Sequence, residues 1–369
     1  MLRTPLCDRL GIRYPIIQAG MGIYKGVVTT PELVAAVSNA GGMGCLGATG
    51  LEPAELRDAI RKVRSLTDKP FSVDLIVPAK LSTTVGTRED IREDIRKNHP
   101  EHWQAVQDLF ARFGMEPSKI DKKYSLTHEL TDAQVEVVFE EKVPLFVVAL
   151  GDPSRFMKRA REAGTLVAGL VGSVGNARKQ IAAGADIVVA QGGEAGGHVG
   201  SVATFPLVPQ VVDAISPTPV IAAGGIADGR GVAAALALGA QAVWCGTAFL
   251  FSDEANVHPI HRAQLDGGRS EDFQASTVFT GKTSRAFQNE VKDFWRERGL
   301  VPLGMPHQKV LMEDFFDAAR QAGKLEAVNN PAGQIAGMLK GRRPAAEIVA
   351  EMVAGAEKVI RDNARYVVA

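Results

Sequence analysis

Apolar residues along this chain recur in short runs closed off by glycine, and most successive runs are separated by a stretch with apolar positions three or four apart. Tyr14 to Ala19 is the first run, and it ends at Gly20-Met21-Gly22. Pro31 to Ala40 follows as a predicted helix, with Thr30 placed to cap it and Pro31 suited to its first turn. Met43 to Gly47 is a second strand, Glu52 to Leu66 a helix with Leu56, Ile60 and Val63 at helical spacing, and Pro70 to Val77 a third strand. After a pause the alternation resumes. Helices at 131–142, 153–163, 174–183, 205–215 and 229–238 alternate with strands at 144–149, 165–171, 186–191, 219–223 and 242–245. Pro209 is expected to interrupt the fourth of these helices. Runs without polar alternation suit strands buried on both faces, and eight of them with crossover helices predict an α/β fold, a (β/α)8 TIM barrel.

The pause, from Pro78 to about Leu130, is polar and charged, and Arg88 to Lys97 is almost wholly ionic. With Trp103, Phe110 and Phe113 at rough helical spacing it reads as a helical insertion on the rim, its charge run a solvated face. The expected organisation is a barrel over 1–251 carrying an insertion at about 78–130. A smaller subdomain near the barrel mouth follows over 252–332, and then a segment over 333–369 whose helix returns to the barrel.

Composition narrows the class. The chain has 369 residues, 42 basic and 42 acidic, so it offers no net field to attract nucleic acid or an anionic membrane. No apolar run approaches a membrane span, and the N-terminus lacks a signal-peptide core, so a cytoplasmic protein is expected. Cys7, Cys45 and Cys245 share no metal or redox spacing and read as buried, inert thiols. His258 and His261 share an expected helix face without a third metal ligand to complete them. Oligomeric state is left open.

The chemistry gathers in the loops that close the strands. Asp186-Ile-Val-Val-Ala-Gln191 opens into Gly-Gly-Glu-Ala-Gly-Gly-His198, and four glycines there point to backbone that lets a ligand come close. Gln191, Glu194 and His198 are the polar side chains of that loop, and few bulky residues surround them. The imidazole is therefore expected to be held by backbone turns. A tight turn with a structural histidine is the plainer alternative. Glycines at 224–225 after the seventh strand and Gly246-Thr247 after the eighth stand where such barrels hold phosphate, beside a helix N-terminus.

The loop Ala190-Gln-Gly-Gly-Glu-Ala-Gly-Gly-His198, with Pro15-Ile-Ile-Gln-Ala-Gly-Met21, Ala222-Ala-Gly-Gly-Ile226 and Gly246-Thr-Ala-Phe249, resembles the nitronate monooxygenases, formerly 2-nitropropane dioxygenases. The resemblance spans Pro5 to Phe251, and Gly333 to Val353 is similar too. It implies an FMN-dependent oxidoreductase whose cofactor contacts are Gly20, Met21, Asp74, Gln191, Gly196, Gly225, Gly246 and Thr247, with His198 as the catalytic residue near substrate and flavin. Asp74 is a departure, since the family usually has asparagine in that Val-x-Leu setting, and an ionised carboxylate only accepts hydrogen bonds. The implied reaction is oxidation of a small nitronate or nitroalkane by oxygen. Related flavin enzymes carry close versions of the loop, so an NAD(P)H-dependent FMN reductase of quinones or enoyl thioesters remains an alternative. A barrel that binds a phosphorylated ligand without turnover is a third reading, which leaves His198 unexplained. Glu194 is a conceivable general base.

Overall fold

The structure is a computed structural model that describes residues 2–23, 26–77, 87–117 and 128–366. Eight parallel strands run in the order of the sequence: β1 (Ile16–Gln18), β2 (Gly44–Gly47), β3 (Phe71–Ile76), β4 (Leu145–Ala149), β5 (Leu166–Val171), β6 (Ile187–Gln191), β7 (Val220–Ala223) and β8 (Ala242–Cys245). Each pairs with its neighbour, and β8 pairs with β1 through Ile16–Val243, Ile17–Trp244 and Gln18–Cys245. The remaining seam, between β1 and β2, is closed by a parallel bridge of Ile17 and Met43. There the Gln18 amide replaces missing ladder bonds: its Oε1 accepts from Cys45 N at 3.0 Å and its Nε2 donates to Cys45 O at 3.2 Å. The sheet is thus a closed (β/α)8 barrel, as the eight apolar runs predict.

Strand side chains sort by the period of two. Ile17, Met43, Cys45, Leu145, Val147, Ala168, Ile187, Val189, Ile221, Ala223 and Trp244 pack together with Leu6, Cys7 and Leu10 of a short N-terminal helix, Pro5–Leu10. Their alternates, such as Ile16, Val188, Ala190, Val220 and Val243, pack with the surrounding helices. The helix Thr204–Ile215 runs on through Pro209, correcting the expected interruption. Pro209 forgoes one N–H and its ring crowds the carbonyl of Phe205, a cost that the burial of Leu207, Val208 and Val211 against the barrel offsets.

The wall is completed from the far end of the chain. Helix Ala345–Asn363 packs against both Gly229–Ala237 and Pro31–Asn39. A Cβ at Gly229 would fall 2.5 Å from Gly355 Cα, so the two helices meet backbone to backbone.

A second apolar core lies outside the barrel. Helices Arg88–Asn98 and Pro100–Arg112 supply Ile91, Ile95, Val106, Leu109 and Phe110. Residues 278–328 supply Phe279, Trp295, Leu311, Phe315 and Phe316, with ring pairs such as Phe110–Phe315 at 5.5 Å. The charge run is therefore a solvated face only in part: Asp90, Glu93 and Lys97 are exposed, but two arginines turn inward. Arg88 and Arg92 are buried and meet Glu313 at 2.6 Å and Asp314 at 2.8 Å. Arg88, Ile91, Arg92 and Ile95 fall at i, i+3, i+4 and i+7, one face of one helix, and that face is turned inward. Residues 78–86 and 118–127 of the expected insertion lie outside the described residues.

Candidate functional site

Parallel strands place all their C-terminal ends, and the loops that follow them, at one end of the barrel. Asp74 stands near the end of β3, in register with Gly47 on β2 and Val147 on β4. Val147 faces the barrel interior, so Asp74 does as well. Its Oδ1 is buried without a hydrogen-bond partner, and burial lifts the carboxyl to about 7. A Cβ on Gly20 would lie 2.6 Å from Asp74 Cβ, so only glycine fits there beside the carboxylate. Met21 follows, and its sulfur lies 3.5 Å from where a Cβ on Gly246 would stand. Gly20, Met21, Asp74 and Gly246 thus form one cluster.

The glycine-rich loop after β6 forms the second. Gln191 Nε2 donates to the His198 carbonyl at 2.7 Å, fastening the two ends of the loop together. Gly197 and His198 pair antiparallel with Arg285 and Ser284, and Val199 N donates to Thr283 O at 3.1 Å. The Arg285 guanidinium donates to Gly193 O at 2.7 and 3.1 Å. A Cβ on Gly196 would strike the Ala332 backbone at 2.6 Å, and Gln334 N donates to Glu194 O at 3.0 Å. Turns alone do not hold the imidazole, as the lack of bulky residues suggested. A strand and a tail segment from residues 283–334 clamp the whole loop.

His198 Nε2 lies 3.0 Å from Thr280 Oγ1, and its Nδ1 makes no hydrogen bond with the described residues. Burial pushes the imidazole down to about 4, and Lys282 and Lys309 reinforce the shift, so the ring is neutral at physiological pH. Glu194 is committed elsewhere: its carboxylate accepts from Thr204 N at 2.9 and 3.1 Å and faces Thr204 Oγ1 at 2.9 Å. Thr204 begins the next helix, so Glu194 satisfies a free N–H at the helix start.

On the β7 side, Gly224 and Gly225 have φ of 92° and 73°, a backbone conformation that favours glycine. Glu194 is the nearest neighbour of a Cβ at Gly225, at 3.8 Å, so the loop after β6 overlies this turn. Thr247 Oγ1 accepts from Gly333 N at 2.8 Å, which leaves the hydroxyl proton available to a ligand. Gly196 and Thr247 meet at Gly333, which joins the two clusters through the adjacent Gly246 and Thr247.

Sequence reasoning passed over Thr280 and Arg285 and named Gly333 only as the start of a similar tail. Each acts on residues more than 80 positions away. His258 caps the helix Pro259–Gly267, its Nδ1 accepting from His261 N at 3.1 Å, and the two rings lie side by side with centroids 5.7 Å apart. All three cysteines are free and buried, and burial pushes the Cys245 thiol up to about 12. No helix among the described residues is long and apolar enough to cross a membrane.

Comparison with known proteins gives this geometry a family. The nitronate monooxygenase profile matches residues 3–355. A Staphylococcus aureus protein named "Probable nitronate monooxygenase" (strain MSSA476) is 35% identical over 363 residues, covering 95% of this chain and 96% of the relative. Among solved structures, a nitroalkane oxidase from Streptomyces ansochromogenes superposes with a TM-score of 0.81 at 30% identity, over 97% of this chain and 99% of its own. FabK from Thermotoga maritima superposes with a TM-score of 0.78 at 32% identity, over the full length of both chains. The chain is an oxidoreductase, and it belongs to the nitronate monooxygenase family.

Proposed function

We propose that this chain holds FMN at the C-terminal end of the barrel and oxidises small alkyl nitronates, with oxygen as the final electron acceptor. The residues suit such a cofactor. An orphaned carboxyl oxygen at Asp74 awaits a partner, the Gly224–Gly225 turn leads toward the N-terminus of helix Gly229–Ala237, and Thr247 keeps a proton to donate. Gly225, Gly246 and Thr247 would receive the phosphate, and Gly20, Met21, Asp74, Gln191 and Gly196 would surround the rest. Bound FMN supplies the two-electron oxidation, chemistry that no side chain here provides.

The observation that carries the substrate class is the state of His198. Thr280 Oγ1 faces both His198 Nε2 at 3.0 Å and Lys282 O at 3.2 Å, and when its one proton goes to the imidazole the ring proton sits on Nδ1, free to donate to an oxygen of the substrate. An imidazole held near 4 is a poor base at neutral pH, so the site suits a substrate that arrives already deprotonated, a nitronate. Lys282 and Lys309 are near enough to depress that imidazole, and although Lys309 pairs with Glu313 at 3.4 Å, Lys282 places positive charge beside the same loop and favours an anion.

The test is anaerobic. Purified yellow protein mixed with propane-2-nitronate is expected to lose its flavin absorbance, while NADH and NADPH leave it unchanged. The flavin released on denaturation is expected to be FMN. Bleaching by NADH or NADPH alone, with none by nitronate, would move the assignment to a nicotinamide-dependent reductase of quinones or enoyl thioesters. A colourless protein that ignores added FMN would refute the cofactor assignment.

A further inference from the structure

We propose that Asp74 engages the flavin as a neutral carboxylic acid, a hydrogen-bond donor, so that cofactor binding is coupled to the protonation of this one side chain. The proposal rests on the reading of the site as a flavin site.

The geometry leaves the carboxyl group no other role among the described residues. Asp74 occupies an inward-facing position near the end of β3, where the Asp74 backbone is used by the fold: its carbonyl accepts from Ala48 N at 3.0 Å. The side chain is not so used, since Oδ1 is buried without a partner. The other oxygen lies against Gly20, 3.0 Å from where a Cβ would be. Among the described residues no cation contributes to its environment, and burial raises its proton affinity.

Among the described residues the neighbouring elements bring no charge that would reverse this. From β2 comes the Cys45 thiol, which burial and then the Asp74 carboxylate itself hold well above its ordinary value, so it stays protonated. Ser72, on β3, donates its hydroxyl to Gly44 O at 3.2 Å. Gly20 comes from the loop after β1 and Val147 from β4, and neither titrates. His198, on the loop after β6, stays neutral throughout the neutral and alkaline range. Asp74 is thus the group of this cluster, among the described residues, whose state changes there. A carboxylic acid carries one proton, and a protein that offers no acceptor for it leaves that proton to a ligand. The ionised form, by contrast, would put an unpaired charge against the ligand in a buried place.

The experiment is a fluorescence titration of the flavin-free protein with FMN from pH 6 to pH 9, for the parent, Asp74→Asn and Asp74→Ala. Asparagine keeps a donor at every pH, and alanine keeps none. Ionisation of the FMN phosphate acts on all three alike, so ratios of Kd isolate the side chain. The Kd of the parent relative to Asp74→Asn is expected to rise about 100-fold between pH 6 and pH 9. Relative to Asp74→Ala, the advantage of the parent is expected to vanish over the same range. Calorimetry in buffers of different ionisation enthalpy should show the parent taking up close to one more proton than Asp74→Asn at pH 8. A parent that binds FMN with the same pH course as both variants overturns the role of Asp74 and leaves the flavin site standing. A parent that binds no FMN at any pH overturns the flavin site, and this proposal with it.

Discussion

Replacing His198 with alanine is expected to lower the turnover of a preformed nitronate by about 10²-fold or more, the size of a lost general-acid or charge-stabilising contact. FMN should remain bound, because the turns assigned to its phosphate belong to β7 and β8. The lost Thr280 bond is expected to cost about 1 kcal/mol at pH 8. The stability difference should change sign with acid. In the unfolded chain the imidazole takes a proton below its ordinary value of 6.5, whereas in the native protein it waits until about 4. The parent therefore loses stability as pH falls from 6.5 toward 4, and His198→Ala escapes that loss. Denaturant titrations at pH 8 and pH 5 measure the effect, and steady-state kinetics with nitronate and with neutral nitroalkane complete the test. A donor role predicts equal fractional losses on the two substrates, with the parent itself slow on the neutral one. Parent-level turnover of both by His198→Ala, with FMN retained, would falsify the assignment.

The largest expected effect on stability is at Asp314. Its carboxylate receives Arg92 Nε at 2.8 Å and Nη2 at 2.9 Å, and both side chains retain less than a tenth of their exposure. Truncation to alanine removes both short bonds and leaves the buried guanidinium with the half-exposed Glu89, whose carboxylate lies 3.1 Å from Arg92 Nη1, so the expected cost is about 3 kcal/mol, the low end for a broken buried pair. Replacing both partners, as Arg92→Met with Asp314→Leu, removes the stranded charge and should recover most of that loss. Equilibrium unfolding of the single and double variants decides the matter. A single variant within about 0.5 kcal/mol of the parent, the range of an ordinary surface substitution, would show that the pair is not buried in solution. Activity is expected to fall with Asp314→Ala as well, because the same outer layer carries Thr280 and Arg285, which hold the loop bearing His198.

Much of the barrel was legible because its strands need no partner information to be recognised. Val188, Val189 and Ala190 are apolar without alternation, and glycine or proline marks where each run begins and ends. The outer core was harder to read. Arg88 and Arg92 look like solvent-facing charges until Glu313 and Asp314 arrive from more than 220 residues away. A local trace did exist: the two arginines share the inward stripe of Ile91 and Ile95. For the site, the motif residues named themselves, but their supports did not. Nothing around Thr280 announces a hydrogen bond to His198, because that contact depends on a two-residue strand pairing formed only in the folded chain. Glu194 illustrates the reverse. An acidic residue in a catalytic loop suggests a base, and only the position of Thr204 N shows that it caps a helix.

The divided outer core also sets a timetable for synthesis. The apolar face of Ile95, Leu109 and Phe110 leaves the ribosome well before Phe315 and Phe316 can cover it. A gap of about 205 to 220 residues at roughly 5–20 residues per second amounts to a wait on the order of 10–44 s. Through that interval the barrel strands are emerging while a greasy helical pair stands uncovered beside them. A nascent chain of this kind is a natural client for ribosome-associated chaperones. A message broken before the codons for Phe315 and Phe316 would yield a product that keeps all eight barrel strands yet leaves that face sticky.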